Sequence, residues 1–449
     1  MKKIFQYIML AVVTIVMASC TSDIEETTTT TGKNNVQLVV GEFPAFGDSQ
    51  TRAIGTPDEG KTSWAEGDEL ILEIAKTSYG RHSATFTYNG KSWELTSGEL
   101  VYLEGDPAYI PHVYYAPNYK WEAGELFLKK GKVAGTDEYI EGKAIITGNG
   151  ETITVSFAEA TRKYSRLRIA TLPNEQITVD TEYFTPAGSS DMEQNGNYTL
   201  TSDEKGNAYL YGTFENNSEV SVKYREAALT TYTFSQATES AKSYALDATV
   251  ISANSAEEIK SAIEQKVADG KTTIRLNLAP NAGTNEFMAI REAIKGAAPN
   301  DLGTIELTII GVETIPEEAF YKMLQLKSVR MSDVKEIKKY AFKECQYLTV
   351  VEAPSLNKLY SGAFKKCDQL SKLTFGPINY ADERNWPIFE YITPNIDLIL
   401  SDYQKEMIET DSYLYTANND RDYAGSDEHN SKNFLGREFK SITCRYPVE

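Results

Sequence analysis

Short runs of alternating apolar and polar residues, separated by Gly, Asn and Pro, fill the first half of the chain. An alternation with a period of two predicts strands buried on one face, and closely spaced turns favour antiparallel sandwiches. Roughly 210 residues is long for one sandwich, which takes about 100. We therefore predict an all-β sandwich region over 36–246, made of two lobes that divide near 160–175. The clearest runs are 36–40, 69–74, 84–88, 152–157, 165–169, 208–214 and 220–224.

The pattern changes after Leu246, where apolar residues recur at helical spacing. Ser255 and Glu258 have the spacing of a capping box, and they precede an apolar stripe made of Ile259, Ile263 and Val267. A strand over 273–278 and a second helix over 286–295 are predicted next. We expect residues 247–303 to form the N-terminal cap of the domain that follows.

A repeat of 22 residues is the strongest internal signal in the chain. The dipeptides Ala319-Phe320, Ala341-Phe342 and Ala363-Phe364 recur at this spacing. A fixed period in the twenties predicts a leucine-rich-repeat solenoid, in which each unit covers the apolar face of the one before. We predict about three units over 304–376, an additional strand at Leu307 and Ile309, and a C-terminal cap over 377–449. Further positions in register are Met323/Cys345/Cys367, Leu326/Leu348/Leu370, Val329/Val351/Leu373, Met331/Ala353/Phe375 and Ile315/Ile337/Leu359.

The repeat consensus, Ile-x-x-x-Ala-Phe-x-x-Cys-x-x-Leu-x-x-Val, closely resembles the BspA-type leucine-rich repeat. Domains of this type occur on surface proteins of bacteria and protozoa, several of them adhesins, so the resemblance implies a protein-binding surface. We expect this surface on the exposed side of the repeat strands. The candidate positions are chemically mixed and do not indicate a ligand. They are Lys327, Ser328, Arg330, Thr349, Val350, Glu352, Ser371, Lys372 and Thr374.

Cysteine usage is the next constraint. Cys345 and Cys367 occupy equivalent positions in consecutive repeats. They are either a redox or metal pair or two thiols packed in the core, and the apolar surroundings favour packed thiols. With Cys444 they form an odd set besides Cys20, which cannot all pair within one exported chain. We predict no metal site and no cofactor.

The N-terminus has the pattern of a secretory signal over residues 1–19. Lys2 and Lys3 precede an apolar stretch that is shorter than the about 20 residues of a membrane span. The segment ending Met17-Ala18-Ser19-Cys20 resembles the lipobox of bacterial lipoproteins, which implies lipidation of Cys20 and a membrane anchor. The alternative is an ordinary cleaved signal with an incidental cysteine.

Residues 20–35 are polar and rich in threonine, and they predict a flexible tether. Acidic residues shortly after Cys20 resemble the surface-export signal of Bacteroidetes lipoproteins. This resemblance implies an outer-membrane lipoprotein that faces the cell exterior. Display towards the periplasm stays open.

A second resemblance lies in the β-rich half. Thr51-Arg52-Ala53, followed by the turn from Trp64 to Asp68 ahead of a strand, resembles the opening of Bacteroidales fimbrillin-like proteins. The resemblance implies a fimbrillin/transthyretin-like sandwich. Some members polymerise when a protease cuts after an arginine and a neighbour donates a strand, so Arg52 is a candidate processing site. The alternative is that Arg52 is a solvated loop residue in a protein that never polymerises.

Composition narrows the function classes. The 449 residues include 45 Lys and Arg against 64 Asp and Glu, a net charge of −19, which argues against nucleic acid as a partner. There are three histidines and no hydrolase, zinc-protease or dinucleotide signature, so we expect no enzymatic activity. Residues 55–62 match the phosphate-loop formula, but Asp58 and Glu59 would repel phosphate, and a strand is predicted next instead of a helix.

We therefore expect a multidomain chain, an all-β sandwich followed by a short α/β leucine-rich-repeat solenoid. Its leading function is adhesion to a protein on a host or bacterial surface. One alternative is a fimbrial tip or assembly subunit joined by strand donation. Another is an outer-membrane glycan-binding protein, which would use the aromatic faces of Tyr114, Tyr115 or Trp121.

Overall fold

The structure of the protein is a computed structural model. It describes residues 37–48, 61–76, 80–98, 110–147, 152–157, 162–225, 227–382, 387–404, 433–435 and 437–445. This part of the chain is rich in strands and contains two α-helices. The predicted signal, Cys20, the tether and Arg52 lie outside the described residues.

The first β-region, residues 37–156, is built around one seven-stranded sheet with the order β1-β10-β9-β6-β3-β4-β5. Its core contains Leu38, Leu72, Phe86 and Val155. Of these strands, β1, β3, β4 and β10 coincide with the clearest alternating runs of the sequence. The strands of this part of the chain are β1 (Gln37–Val40), β2 (Gly47–Asp48), β3 (Glu69–Lys76), β4 (Gly80–Tyr88), β5 (Trp93–Gly98), β6 (Val113–Tyr115), β7 (Tyr119–Glu122), β8 (Glu125–Leu128), β9 (Ile140–Thr147) and β10 (Thr152–Ser156).

The turn before β3 is fixed by aromatic packing. Gly67 has a φ of +91°, which favours glycine, and the amide of Asp68 donates to the carbonyl of Ala65. Trp64 donates from its indole to the carbonyl of Gly41 at 2.9 Å. Its ring lies 4.9 Å from that of Phe43, so the turn is anchored on the core.

The second β-region, residues 162–247, forms a sheet with the order β16-β15-β12-β14-β11-β17-β2, and β13 pairs with β12. All pairs within this sheet are antiparallel except those that β17 makes with β11 and β2. Buried Phe184, Phe214 and Val222 belong to its core. Its strands are β11 (Ser165–Ala170), β12 (Gln176–Pro186), β13 (Glu193–Thr201), β14 (Asn207–Phe214), β15 (Glu219–Tyr224), β16 (Ala227–Thr233) and β17 (Lys242–Asp247).

The segment 37–48 contributes a strand to each of these sheets. β1 pairs in parallel with β10 at the edge of the first sheet, and β2 pairs in parallel with β17 at the edge of the second. Between them, Phe43 is buried in the first core and Phe46 packs against Tyr164 and Tyr211. This segment therefore ties the two β-regions together.

The C-terminal part begins with β18 (Ile251–Ala253), α1 (Ala256–Ala268), β19 (Thr273–Leu278) and α2 (Thr284–Ala297). Ser255 caps α1 by accepting from the amide of Glu258, as its sequence predicts. Ile259 and Ile263 of α1 and Phe287, Ile290 and Ile294 of α2 are buried. The helices therefore close the N-terminal side of the core that the following strands continue.

Parallel strands then form two ladders. One is the sheet β18-β19-β20-β22-β24-β26-β28-β31, here called the repeat sheet, and the other is β21-β23-β25-β27. Besides these, β29 pairs with β30, and a short 3₁₀ helix covers Asp402–Gln404. The strands are β20 (Ile305–Ile310), β21 (Thr314–Ile315), β22 (Leu326–Arg330), β23 (Glu336–Ile337), β24 (Val350–Ala353), β25 (Lys358–Leu359), β26 (Lys372–Phe375), β27 (Tyr380–Ala381), β28 (Asp397–Ser401), β29 (Asn433–Phe434), β30 (Arg437–Glu438) and β31 (Ser441–Arg445).

Stacked phenylalanines run through the core of the repeats. The rings of Phe320, Phe342, Phe364 and Phe389 follow one another with centroid distances of 5.1, 5.4 and 5.8 Å. Phe389 lies in the region predicted as a cap, and β28 continues the repeat sheet there through its pairing with β26. The parallel ladder therefore extends beyond residue 376.

Candidate functional site

The outward face of the repeat sheet carries two rows of side chains in register. One row is Thr273, Glu306, Ser328, Val350, Lys372, Asp397 and Ser441, and the other is Arg275, Thr308, Arg330, Glu352, Thr374, Ile399 and Thr443. Residues between them, such as Val329, Val351 and Leu373, are buried in the core. Most of the predicted partner-binding residues therefore share one face of the sheet.

Ser328 is the exception among the candidate residues. It was expected to be exposed, but only 6% of it is accessible. It stands directly between Glu306 and Val350 of the neighbouring strands, and a short hydroxymethyl group is shielded by longer neighbours on both sides. Of the other candidates, Lys327 and Ser371 are exposed, and Arg330, Thr349, Val350, Glu352, Lys372 and Thr374 are partly exposed.

Charged residues on this face pair with one another across strands. Glu352 lies 2.9 Å from the guanidinium of Arg330 and 3.6 Å from the ammonium of Lys372. Lys327 reaches Glu306 at 2.8 Å. Such exposed pairs contribute about 0–1 kcal/mol each, so their main effect is to orient side chains and to balance charge. The face is thus suited to recognition by shape and local polarity more than by long-range attraction.

The N-terminal end of the same face is covered by the second β-region. Arg275, only 7% accessible, donates to the carbonyl of Leu229 in β16 at 2.6 Å. Burial lowers the pKa of this guanidinium, and the carboxylate of Asp247 lies 3.8 Å away. Ile310 packs into the core of the second β-region. Arg275 and Thr308 are therefore buried, and their row becomes partly exposed from Arg330 in β22 onwards.

The cysteines of the repeats lie in the core. The thiol of Cys345 donates to the carbonyl of Phe320 at 2.9 Å, and that of Cys367 to the carbonyl of Phe342 at 3.0 Å. Burial raises the pKa of the Cys345 thiol to about 12 and that of Cys367 well above its usual value. Cys345, Cys367 and Cys444 are unbridged. Within the described ranges, no cluster of three or more metal-ligating side chains occurs.

The aromatic residues proposed for sugar binding are not equivalent. Tyr115 is buried in the first core and donates to Asp68 at 3.0 Å, and burial raises its pKa, so it cannot present a face to a sugar. Tyr114 is partly exposed beside His112, with ring centroids 5.8 Å apart. Trp121 lines a separate open hollow with Arg81 and His82. Tyr114, Tyr115 and Trp121 therefore do not form one continuous aromatic surface for a sugar.

A row of charged residues beside Tyr114 was not predicted from the sequence. His112 lies between two carboxylates, with Nδ1 2.9 Å from Glu73 and Nε2 3.3 Å from Glu141. Glu73 also pairs with Arg81 at 3.2 Å although it is nearly inaccessible. These residues come together through strand pairing across long sequence separations, which a linear motif does not reveal.

The repeats match a known family. Residues 302–408 match the family model of the BspA-type leucine-rich-repeat region. The predicted repeat type is confirmed. No curated protein matches the chain. A solved structure from Bacteroides fragilis, named a "putative cell adhesion protein", is similar over 51% of this chain and 93% of its own, at 11% identity and a TM-score of 0.25.

No helix within the described residues is long and apolar enough to cross a membrane.

Proposed function

We propose that this protein is a cell-surface adhesin that binds a protein partner through the outward face of the repeat sheet. The observation that carries the proposal is the BspA-type repeat array, whose strands β22, β24 and β26 present an ordered and accessible polar face. The β-regions would act as a stalk, because the second of them already covers the N-terminal end of this face. Partner binding is then directed to the C-terminal repeats.

The test uses the chain from residue 21 onwards against arrays of extracellular-matrix proteins and bacterial surface proteins. Arg330→Glu with Lys372→Glu places two further carboxylates beside that of Glu352. We expect at least tenfold weaker binding of the captured protein, since like charges at an interface are strongly unfavourable. Lys120→Glu with Lys260→Glu, two exposed positions outside the repeats, is the matched control. Unchanged binding by the first variant would exclude this face.

We propose that the adhesin is held at the outer membrane, facing outwards, by a lipid on Cys20. The support is the lipobox-like segment and the polar tether, both read from the sequence. Cells that express the chain should incorporate labelled palmitate into it, and Cys20→Ser should abolish labelling. Protease added to intact cells should remove the repeats. Survival of the repeats under that treatment would contradict outward display.

A second candidate function is assembly by strand donation. One observation favours it: the segment 37–48, just ahead of Arg52, provides an edge strand to both β-regions. Removal of this segment would leave β10 and β17 with open edges that a strand from another molecule fills. An arginine-specific protease should then release the segment and produce oligomers on size-exclusion chromatography. Arg52→Gln should stay monomeric, and oligomers formed by both proteins would contradict the proposal.

A further inference from the structure

The turns between the two ladders of the repeats carry a strip of lysine and tyrosine side chains. Each 22-residue repeat forms one coil of the solenoid, and two equivalent positions in each coil have positive φ values. The first position is occupied by Glu318, Tyr340 and Gly362, and the second by Lys322, Glu344 and Lys366. The amides of the five non-glycine residues among them donate to carbonyls of the next coil, as Glu344 does to Lys365 at 2.8 Å. The strip therefore has a fixed backbone.

Lysines in the strip are held against tyrosine rings. The ammonium of Lys343 lies 5.1 Å from the ring centroid of Tyr321 and 4.6 Å from that of Tyr340. Lys339 approaches Tyr340 from the same coil at 4.8 Å. Such contacts contribute about 0.5–1 kcal/mol at exposed sites, enough to restrict these long side chains. We call Tyr321, Lys339, Tyr340 and Lys343 the Lys–Tyr strip.

Carboxylates next to the strip are shared among several lysines. Glu344 lies 3.5 Å from Lys322 and 3.8 Å from Lys366, and Glu336 pairs with both Lys338 and Lys358. Lys339 and Lys343 have no ion pair with any described residue. Two cations that are partly exposed, restricted and unpaired therefore lie at the centre of a lysine-rich surface.

This surface stands out against the rest of the chain, whose net charge is −19. In the preceding coil, Glu317 and Glu318 take the positions of Lys339 and Tyr340, so the basic surplus belongs to the later coils. Neighbouring coils are about 4.8 Å apart, the spacing of strands in a sheet. A linear polyanion that lies along the strip would meet the ring of Tyr321 in one coil and the ammonium groups of Lys339 and Lys343 in the next.

We propose that the Lys–Tyr strip binds an acidic polysaccharide bearing carboxylate or sulfate groups. Ammonium groups would pair with the anionic substituents, while the accessible parts of Tyr321 and Tyr340 would pack against the apolar faces of sugar rings. An acidic peptide would supply the charges without ring faces to cover the tyrosines. This proposal is independent of the protein-binding face of the repeat sheet.

The probes are polygalacturonate and dextran sulfate, with neutral dextran and poly-glutamate for comparison. We expect the chain from residue 21 onwards to bind one or both acidic polysaccharides in 0.1 M salt, more weakly as salt rises, and to ignore neutral dextran. Carboxylate and sulfate are distinguished by which probe binds more tightly. Absence of binding to both, or equally tight binding of poly-glutamate, would overturn the proposal.

Variants locate the site. Lys339→Gln with Lys343→Gln should weaken binding at least tenfold, whereas Lys339→Arg with Lys343→Arg should keep it within about threefold, since arginine retains both the charge and the ring contact. Lys120→Gln with Lys260→Gln removes the same charge elsewhere and should change binding less than twofold. Equal losses in the strip and the control variants would show nonspecific attraction and refute the site.

Discussion

Arg162 joins the two β-regions through a buried ion pair. Its side chain is 1% accessible, pairs with Glu138, and donates to the carbonyl of Pro44 at 2.7 Å. The guanidinium carbon lies 3.8 Å from the centroid of the Phe46 ring. A buried cation is tolerated only when its partners are in place, so this contact makes the junction sensitive to single substitutions.

Replacing Arg162 with methionine should lower the free energy of unfolding by about 3–5 kcal/mol, because the carboxylate of Glu138 stays buried without a cation. Urea unfolding followed by tryptophan fluorescence measures this loss. The double variant Arg162→Met with Glu138→Leu should recover part of it. Lys163→Met, at a position 75% accessible, is the control and should change stability by less than about 0.5 kcal/mol. Similar losses in the two single variants would contradict a special role for Arg162.

The buried thiols of the repeats should be inert in the folded protein. At pH 8, a thiol reagent added to the chain from residue 21 onwards should modify the partly exposed Cys444 and spare Cys345 and Cys367. In urea all three should react. Rapid labelling of three thiols without urea would contradict the packing described for the repeats.

The same burial predicts a pH dependence of stability. The pKa of Cys345 is raised from 9.0 to about 12, so the folded state keeps a proton that the unfolded chain releases above pH 9. The protonated thiol makes its full contribution to the free energy of unfolding below about pH 9. This contribution declines by up to about 1.4 kcal/mol per pH unit towards pH 12. Cys345→Ala should therefore flatten the decline between pH 9 and 11 in urea titrations. An unchanged slope would refute this assignment.

At the scale of elements, equivalent positions of successive coils can hold different residue types, provided that the side chains of neighbouring coils pack together without overlap. Glu318 and Tyr340 adopt the same positive φ as Gly362 in the next coil, so the backbone does not require glycine at this position. What Gly362 provides is space, because an added Cβ would lie 2.6 Å from the ring of Tyr340. The ring of one coil is thus matched to the missing side chain of the next.

Gly362→Ala should destabilise the repeats by about 1–3 kcal/mol, the usual range for overpacking. Combined with Tyr340→Ala, it should cost clearly less than the sum of the two single changes, as expected for residues in contact. Gly296→Ala in α2 is the matched control, since its Cβ would meet no atom within 4 Å. We expect it to stabilise by about 0.4–1 kcal/mol. Thermal unfolding measures all four proteins, and additive losses would refute the contact.

The 22-residue register predicted the stacking of Phe320, Phe342 and Phe364, because identical coils place identical residues one above another. It missed Phe389, which follows Phe364 after 25 residues, since three extra residues break a fixed period without breaking the stack. The burial of Ser328 depends on residues from neighbouring strands, which the alternation within its own strand cannot show.

Pairing partners were the least predictable feature. Gln37 aligns with Thr152, and Gly47 with Lys242, over separations of more than a hundred residues. The alternation at 36–40 predicted a strand but could not say which edge it joins. The candidate binding face was largely predictable, because it follows from the repeat alone. The burial of its N-terminal end was not predictable from the repeat, since it depends on the contact of Arg275 with Leu229 in β16.

At the scale of the whole molecule, Arg275 connects the second β-region to the repeats. Replacing it with glutamine removes a charged hydrogen bond to the carbonyl of Leu229, which should lower stability by about 1.5–3 kcal/mol. Hydrogen exchange should show faster exchange in β16 and β19 and no change in the first sheet. Arg330→Gln, an exposed arginine in the same row of the repeat sheet, should cost less than about 1 kcal/mol. Uniform acceleration in all three parts would contradict a local junction.

The segment 37–48 has a mechanical consequence. A pull on the chain ahead of Gln37, directed along β1, loads its four residue pairs with β10 together, in shear, instead of opening them one at a time. Further along the same segment, Phe43 must leave its pocket and β2 must slide past β17 before the force reaches the second β-region. The segment is therefore held by two strand pairings that are loaded one after the other. Single-molecule pulling from the N-terminus should show force peaks that a pull from the C-terminus lacks.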